Sequence, residues 1–168
     1  TIPFRAARGS NVAGEAVQRL VFRQEILPGS VYLKDYNYRK PDVAPEGQAK
    51  AARTGIGQVE EYGHHFKTPD EGKTVATWRA QEIACRETEF HGRSDCRSFR
   101  AGAEWELSAH YRRAANRSYF LLDIRHRVEQ EIHLASGTVG LVSASKYENE
   151  FVAIADDVVF RPERATPK

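Results

Sequence analysis

Alternating hydrophobic and polar positions predict that most of the chain forms short β-strands. Residues 17–27 alternate apolar with charged side chains, which is the period of a half-buried strand. The apolar members of this run are Leu20, Phe22 and Ile26. After a turn at Pro28-Gly29-Ser30 the alternation resumes over residues 31–38. We therefore expect the two runs to pair as an antiparallel hairpin.

The next segment is poor in side chains that could form a core. Residues 39–58 contain two prolines, three glycines, four alanines and no aromatic residue. Such a composition buries little surface and leaves the backbone mobile. We therefore expect a flexible linker or long exposed loop over residues 41–58. It would divide the chain into a strand hairpin at 1–40 and a helix with a β-barrel segment at 59–168.

One helix is predicted between the strands. Thr68-Pro69-Asp70-Glu71 has the form of a capping box, in which a hydroxyl caps the helix, proline follows and a carboxylate reaches back. The apolar residues that recur at helical spacing after it are Val75, Ala76, Ala80, Ile83 and Ala84. Glu82 and Arg86 are four residues apart, as a side-chain ion pair on a helix requires. The helix should end near Arg86.

Strand patterns return after the helix. Glu87 to His91 forms one run, and two longer alternating runs follow it: Trp105, Leu107 and Ala109, then Phe120, Leu122, Ile124 and Val128. The last predicted strand is Phe151 to Ile154, and we interpret residues 129–146 before it as a long hairpin or excursion. The predicted fold class is mainly β (α+β), a meander or β-barrel with one helix between strands.

Composition excludes several classes of protein. With 40% apolar and 29% charged residues over 168 positions, the chain has the balance of one folded domain or two small ones. Its net charge of +2 is scattered, which argues against nucleic acid as the main partner. It has neither the run of about 18 apolar residues of a membrane-spanning helix nor a secretory leader pattern. Because the chain begins with Thr1 and contains no methionine, we expect a piece of a longer protein.

Candidate catalytic and metal-binding groups are sparse. Cys85, His91 and Cys96 lie within twelve residues. Zinc sites, however, usually place their cysteines in pairs about two to four residues apart. Two packed thiols in a reducing compartment are therefore the favoured interpretation. A disulfide, a metal site and a catalytic cysteine with a histidine base stay open as alternatives.

The other histidines have structural interpretations. His64 and His65 would point to opposite faces of a strand, so they cannot easily share one ligand, and we interpret them as loop histidines. His110 and His126 end or interrupt strands and are expected to be partly buried hydrogen-bonding groups. We therefore predict no catalytic residue, no metal site and no cofactor.

Three segments of the chain carry short motifs in a fixed order. Leu27 to Pro41 contains a Pro-Gly turn, a short strand, an Asp-Tyr pair and a basic residue before proline. The second segment runs from the predicted helix through Gly92 to His110, and the third from Tyr147 to the Arg-Pro and Thr-Pro pairs at the end of the sequence. Together they resemble the Vgr (VgrG) family of type VI secretion spike proteins, which is related to phage late control protein D and contractile-tail baseplate hub proteins. We interpret the residues that carry the resemblance as structural signature positions: Pro28, Gly29, Asp35, Tyr36, Pro41, Gly102, Leu107, His110, Phe151, Arg161 and Pro162.

The resemblance implies a β-barrel hub domain that assembles as a homotrimer and connects a tail tube to a needle. The implied partners are further copies of the chain, a tail-tube protein and secreted effectors. The implied location is the bacterial cytoplasm during assembly, followed by export with the spike. Tyr32, Tyr36 and Tyr38 would suit a subunit interface. A baseplate hub of a phage or prophage is the alternative, and a cysteine-dependent enzyme is a less favoured one.

The chain departs from the family pattern in two loops. Ala101 and Ala155 stand where the family often has proline. Proline fixes the backbone φ angle, so the resemblance implies no particular loop geometry at these two positions.

Overall fold

The computed structural model describes residues 1–6, 14–129 and 146–166, arranged as two compact units. Unit 1 comprises Thr1–Arg23 and Glu89–Asp156, and unit 2 comprises Gln24–Thr88 and Asp157–Lys168. In chain order the elements are β1 (Ile2–Pro3), β2 (Val17–Gln24), β3 (Ser30–Lys34), β4 (Glu46–Lys50), β5 (Gln58–Tyr62), α1 (Pro69–Ala84), β6 (Thr88–Ser94), β7 (Glu104–Ser108), a 3-10 turn (Arg113–Ala115), β8 (Ser118–Glu129) and β9 (Lys146–Ala155). The prediction of a mainly β chain with one helix between strands is confirmed for the described residues.

Unit 1 is built on a six-stranded sheet in the order β1-β7-β8-β9-β6-β2. The segment after β1 joins the two sides of this sheet. The Phe4 N–H donates to the Ser108 carbonyl at 2.7 Å on β7, and the Arg5 N–H donates to the Val17 carbonyl at 2.8 Å on β2. The sheet is thereby bridged into a small barrel.

The core of unit 1 is aromatic. Trp105 stacks on Tyr119 with ring centroids 5.1 Å apart, and Phe99 and Phe151 pack against the Trp105 ring at 5.0 and 5.5 Å. Gly92 makes room for this cluster, because a Cβ at that position would lie 2.1 Å from the Phe151 ring. Large rings therefore fill the interior of a small barrel with few side chains.

The phase of β8 differs from the prediction. Phe120 and Leu122 were expected on the buried face, but the structure buries Tyr119 and Leu121 completely. The pairing register with β9 shifts between Leu121 and Asp123, and after this irregularity Ile124 packs on the core as expected. A β-bulge inserts one residue into an alternating pattern, so the apolar faces before and after it cannot share one phase.

Residues 129–146, predicted as a hairpin or excursion, lie almost entirely outside the described residues. The antiparallel pairing of β8 with β9 continues as far as Glu129 opposite Lys146. The last strand, predicted at Phe151 to Ile154, is therefore confirmed and begins earlier than expected.

Unit 2 packs α1 against a three-stranded sheet in the order β4-β3-β5. Strand β3 lies in the centre, antiparallel to β4 and parallel to β5. The buried apolar cluster of this unit consists of Val31, Leu33, Phe66, Ala76 and Ala80. Gly47 lets the helix approach β4 closely, because a Cβ there would lie 2.2 Å from the Gly72 carbonyl.

The predicted hairpin of residues 17–27 with 31–38 is wrong. β2 lies in the sheet of unit 1, whereas β3 pairs with β4 and β5. The turn at Gly29 is held instead by residues 51–57: the Gly29 N–H donates to the Gly57 carbonyl at 2.9 Å, and a Cβ on Gly29 would lie 2.8 Å from the Gly55 oxygen. Two glycines thus allow a backbone crossing that the strand pattern does not reveal.

The prediction of a flexible linker over residues 41–58 is wrong for residues 45–52. Glu46–Lys50 forms β4, Ala52 is 1% exposed, and Pro45 is fully buried. Small residues can form a packed strand when a helix lies directly on them. The unit boundaries accordingly do not coincide with the predicted segments 1–40, 41–58 and 59–168.

The predicted helix is confirmed, with one change in its cap. The Thr68 hydroxyl accepts from the Glu71 N–H at 3.3 Å, and the Glu71 carboxylate accepts from the Lys67 N–H at 2.8 Å, one residue before the cap. α1 runs from Pro69 to Ala84. In the part of the chain that the structure describes, no helix has the length and apolarity required to span a bilayer.

Candidate functional site

The two cysteines are packed thiols. Cys85 and Cys96 are both free and buried, so the disulfide alternative is wrong. Burial raises the pKa of the Cys96 thiol to about 11, which keeps it protonated near neutral pH. The Cys85 thiol donates to the Glu82 carbonyl at 3.3 Å. Over residues 1–6, 14–129 and 146–166, no group of three potential ligands is placed to hold a metal ion.

The structure places the four histidines that were interpreted as structural in different surroundings. His64 Nε2 lies 2.8 Å from the Glu61 carboxylate, and His65 adopts a positive φ of 63°. The His110 ring is buried, accepts from the Arg112 N–H at 3.0 Å and packs on Phe4. His126 was expected to be partly buried but is exposed, with Nδ1 2.6 Å from the Tyr147 hydroxyl.

A more organised site lies on α1, where the chain after β9 packs along the helix. We call residues 157–166 the strap, since they form neither helix nor strand. Arg161 Nε donates to the Gln81 side-chain oxygen at 2.9 Å, and the Arg161 guanidinium lies 5.8 Å from the centre of the Trp78 ring. Arg161 therefore anchors the strap by one directional hydrogen bond and one cation–π contact.

Four charged side chains hold the strap further along. Arg164 reaches Glu61 at 3.0 Å, and its backbone N–H donates to the Glu82 carboxylate at 3.0 Å. Arg79 bridges the same two carboxylates, at 2.9 Å to Glu61 and 2.7 Å to Glu82. The strap network, as we call Glu61, Arg79, Glu82 and Arg164, thus joins β5, α1 and the strap in one alternating ring of charge.

The network shifts the ionisation of its carboxyl groups. Burial alone would raise the pKa of Glu82, whose residue is 7% exposed. Hydrogen bonds from Arg79 and Arg164 outweigh burial, so the pKa of Glu82 lies below its ordinary value. Glu61 shows the same balance, with burial opposed by Arg164 and Arg79 and a lowered pKa as the result. Both carboxylates therefore stay charged at neutral pH.

The sequence did not reveal this network. Glu82 was expected to pair with Arg86 along the helix, but its carboxylate is bound by Arg79 and Arg164. The residues of the strap network come from three elements far apart in sequence, so no local spacing of residues predicts their contacts. The nearest signal was the Arg161-Pro162 pair, whose signature role stays a prediction.

The remaining signature positions are dispersed over both units. In unit 1, Leu107 and Phe151 are core residues, His110 is buried and Gly102 has a positive φ of 82°. None of these belongs to the strap network. The structural role predicted for Leu107, His110 and Phe151 is compatible with their burial, and the role of all four positions stays a prediction.

In unit 2, the signature positions before the helix lie in turns. Pro28 and Gly29 form the crossing before β3, and the Asp35 carboxylate accepts from the Tyr36 N–H at 2.8 Å. Tyr36 and Pro41 are exposed. The structure thus does not gather the predicted residues into one site.

Both units expose aromatic side chains. Of the tyrosines proposed for an interface, Tyr36 and Tyr38 are exposed and Tyr32 is half-buried. Tyr62 and Trp78 of unit 2 and Phe22 and Tyr111 of unit 1 are also exposed. Aromatic side chains are enriched at protein interfaces, and single exposed apolar side chains are also common on surfaces without a partner.

The chain matches one protein family over most of its length. Residues 1–132 match the family described as "Phage tail baseplate hub (GPD)". In Pseudomonas aeruginosa, type VI secretion system spike protein VgrG1b is 26% identical over 147 residues, 86% of this chain and 19% of that protein. VgrG1a of the same organism is 28% identical over 148 residues, 86% of this chain and 22% of that protein.

Two further similarities extend the coverage. Actin cross-linking toxin VgrG1 of Vibrio cholerae is 26% identical over 167 residues, 96% of this chain and 15% of that protein. The tail protein from Neisseria meningitidis MC58 is similar in fold, with a TM-score of 0.60 over 92% of this chain and 44% of that chain, at 10% identity. The chain spans about a fifth of the length of the curated spike relatives it matches.

Proposed function

The chain belongs to the phage tail baseplate hub family, and from this premise we propose that it forms part of a trimeric hub connecting a tail tube to a needle. The resemblance to Vgr spike proteins noted in its motifs is confirmed. A type VI secretion spike is the favoured setting because curated relatives over 86% of the chain carry that name. This coverage is the observation that carries the proposal.

The proposed role is structural. The relatives are hub and spike proteins, and both thiols of this chain are buried, with the pKa of Cys96 raised. A protonated, enclosed thiol is a poor nucleophile. The toxin relative takes its name from a protein of which this chain covers only 15%. We therefore propose assembly rather than catalysis as the function of this segment.

The proposed partners are two further copies of the chain, a tail-tube protein and exported effectors. Assembly would take place in the bacterial cytoplasm, followed by export with the spike. Tyr36 and Tyr38 support a protein contact on unit 2, since exposed aromatic side chains are enriched at interfaces.

Sedimentation velocity tests the trimer. The chain and its parent protein should sediment as species three times the monomer mass, which is 19.0 kDa for the chain. Replacing Tyr36 and Tyr38 with serine should weaken the assembly, whereas Tyr111→Ser, an equally exposed tyrosine on unit 1, should leave it intact. A parent protein that stays monomeric at every concentration would contradict the trimer.

A baseplate hub of a phage or prophage is the second candidate, because the matching family is named for a phage hub. Reading the parent gene on both sides of this segment distinguishes the two. Short β repeats rich in glycine and valine after residue 168 support the secretion spike. A frame that stops there, or continues into a tail lysozyme, supports the phage hub.

A further inference from the structure

Unit 2 carries a concave site on the first turns of α1 that the strap network does not use. The cavity has a volume of about 470 Å³. Phe66, Val75 and Trp78 supply its apolar surface, and His65, Asp70 and Glu71 contribute its polar rim. We call this site the Trp78 groove.

The apolar surface of the groove is open to solvent at Trp78, where leaving a large aromatic ring exposed to water is energetically unfavourable. Trp78 is 51% exposed, whereas Trp105, the second tryptophan of the chain, is 8% exposed in the core of unit 1. Tryptophan is among the residues that contribute most when a protein interface forms around them. A partner side chain that fills the groove would remove the Trp78 ring and the Val75 side chain from water together.

The rim of the groove is acidic. Asp70 and Glu71 bring two carboxylates to its edge, and the Glu71 carboxylate holds the Lys67 N–H. The Asp70 carboxylate makes no hydrogen bond or ion pair within the described part of the chain. The positive end of the helix dipole repels a cation here, but it carries only about half an elementary charge. The two carboxylates carry a full negative charge each and therefore outweigh it. The rim therefore attracts a positively charged group.

The chain itself provides a precedent for this chemistry. The Arg161 guanidinium already lies over the Trp78 ring, at 5.8 Å from its centre. A tryptophan face with neighbouring carboxylates is a favourable environment for lysine or arginine, because both the ring and the carboxylates attract a cation.

We propose that the Trp78 groove binds a segment of a partner protein that presents an apolar side chain next to a lysine or arginine. The apolar side chain fills the space between Phe66, Val75 and Trp78, and the basic side chain meets Asp70 at the rim. This inference rests on the charge and the shape of the groove alone, so it holds whether or not the chain acts as a hub.

Fluorine NMR of the whole chain labelled with fluorotryptophan tests the groove directly, since the two tryptophans give one signal for each unit. The probes are two capped tetrapeptides, Gly-Leu-Arg-Gly and Gly-Leu-Glu-Gly. The Leu-Arg peptide should shift the Trp78 signal saturably and leave the Trp105 signal unmoved. It should bind about fivefold more tightly than the Leu-Glu peptide, as one or two solvent-exposed charge interactions produce.

Two variants assign the charge preference to the rim. Asp70→Asn should reduce the preference for the Leu-Arg peptide to about twofold, because one carboxylate is lost. Asp42→Asn makes the same charge change at an exposed position of unit 2 outside the groove and should leave the preference unchanged. A Trp78 signal close to its original position in the absence of peptide verifies that unit 2 of each variant is folded.

Three results would overturn the proposal. The first is a Trp78 signal that stays unmoved with peptide on the order of 10 mM, where even weak fragments bind. The second is equal binding of the two peptides. The third is a Trp78 shift that depends on protein concentration alone, which would mean that a second copy of the chain fills the groove.

Discussion

The two units reach stability by different means. Unit 1 encloses four large aromatic rings, those of Phe99, Trp105, Tyr119 and Phe151, in a bridged barrel. Unit 2 buries a cluster with one aromatic ring, that of Phe66, together with aliphatic side chains beneath one helix, and adds the strap network of alternating charge. Apolar burial depends little on pH or salt, whereas partly exposed ion pairs depend on both. The barrel should therefore be the robust part of the molecule and the strap the adjustable one.

The largest effect is expected from the barrel core. Phe151→Ala should lower the free energy of unfolding of unit 1 by about 3–5 kcal/mol, because it leaves a cavity among the rings. Urea unfolding followed at the Trp105 signal measures it. Val128→Ala, on an exposed position of β8, should cost less than about 0.5 kcal/mol. Equal costs at the two positions would contradict an aromatic core as the main source of stability.

A smaller effect is expected from the strap network. Glu82→Gln removes the charge that faces both Arg79 and Arg164, and should cost unit 2 about 1–2 kcal/mol once solvent screening of Arg164 is allowed for. The Trp78 signal should shift as the strap loosens, while Trp105 stays unchanged. Glu60→Gln, an exposed carboxylate on the same strand as Glu61, is the matched control. A silent Trp78 signal would mean that the network does not hold the strap.

Acid should destabilise unit 2 before unit 1, and the effect should be partial until the pH falls below the lowered pKa values of the strap network. The pKa values of Glu61 and Glu82 are lower in the folded chain than the ordinary 4.5. Their contribution to stability is therefore complete above about pH 4.5 and is lost as the pH falls through the lowered values. A pH titration should shift the Trp78 signal before the Trp105 signal. The opposite order would contradict the assignment.

The smallest effect is expected at Arg161. Arg161→Lys keeps the charge but loses the directed hydrogen bond to Gln81 and the flat contact with Trp78. A cost of about 0.5 kcal/mol to unit 2 should result, with a Trp78 shift as the sensitive measurement. Arg161→Lys should leave the trimer intact. A cost as large as that of Glu82→Gln would mean that Arg161, rather than the ring of charge, is the main anchor.

The sequence predicted local structure better than it predicted pairing. The helix could be recognised because its cap, its proline and its apolar stripe lie within one short segment. The partners of β3 could not, because they depend on the crossing of Gly29 with Gly55 and on α1 lying over Gly47. The phase of β8 was missed because the register shift between Leu121 and Asp123 leaves no signature in the alternation.

The candidate sites were predicted least well. The strap network draws one residue from β5, two from α1 and one from the strap, so only the folded chain places Glu61 beside Arg164. The family could nevertheless be recognised, since its motifs are read as an ordered series and do not require knowledge of contacts. Leu107 and Phe151, two of the predicted signature positions, lie in the core of unit 1, and their signature role stays a prediction.

The bridge that Phe4 and Arg5 make between β7 and β2 should also determine how readily the barrel aggregates. An unprotected strand edge is a template on which another chain can add, and it is a common origin of aggregates. In unit 1 a single short segment shields two such edges at once. Trimming it from an expressed version would therefore uncover both together, and the product should precipitate at concentrations at which the longer chain remains clear.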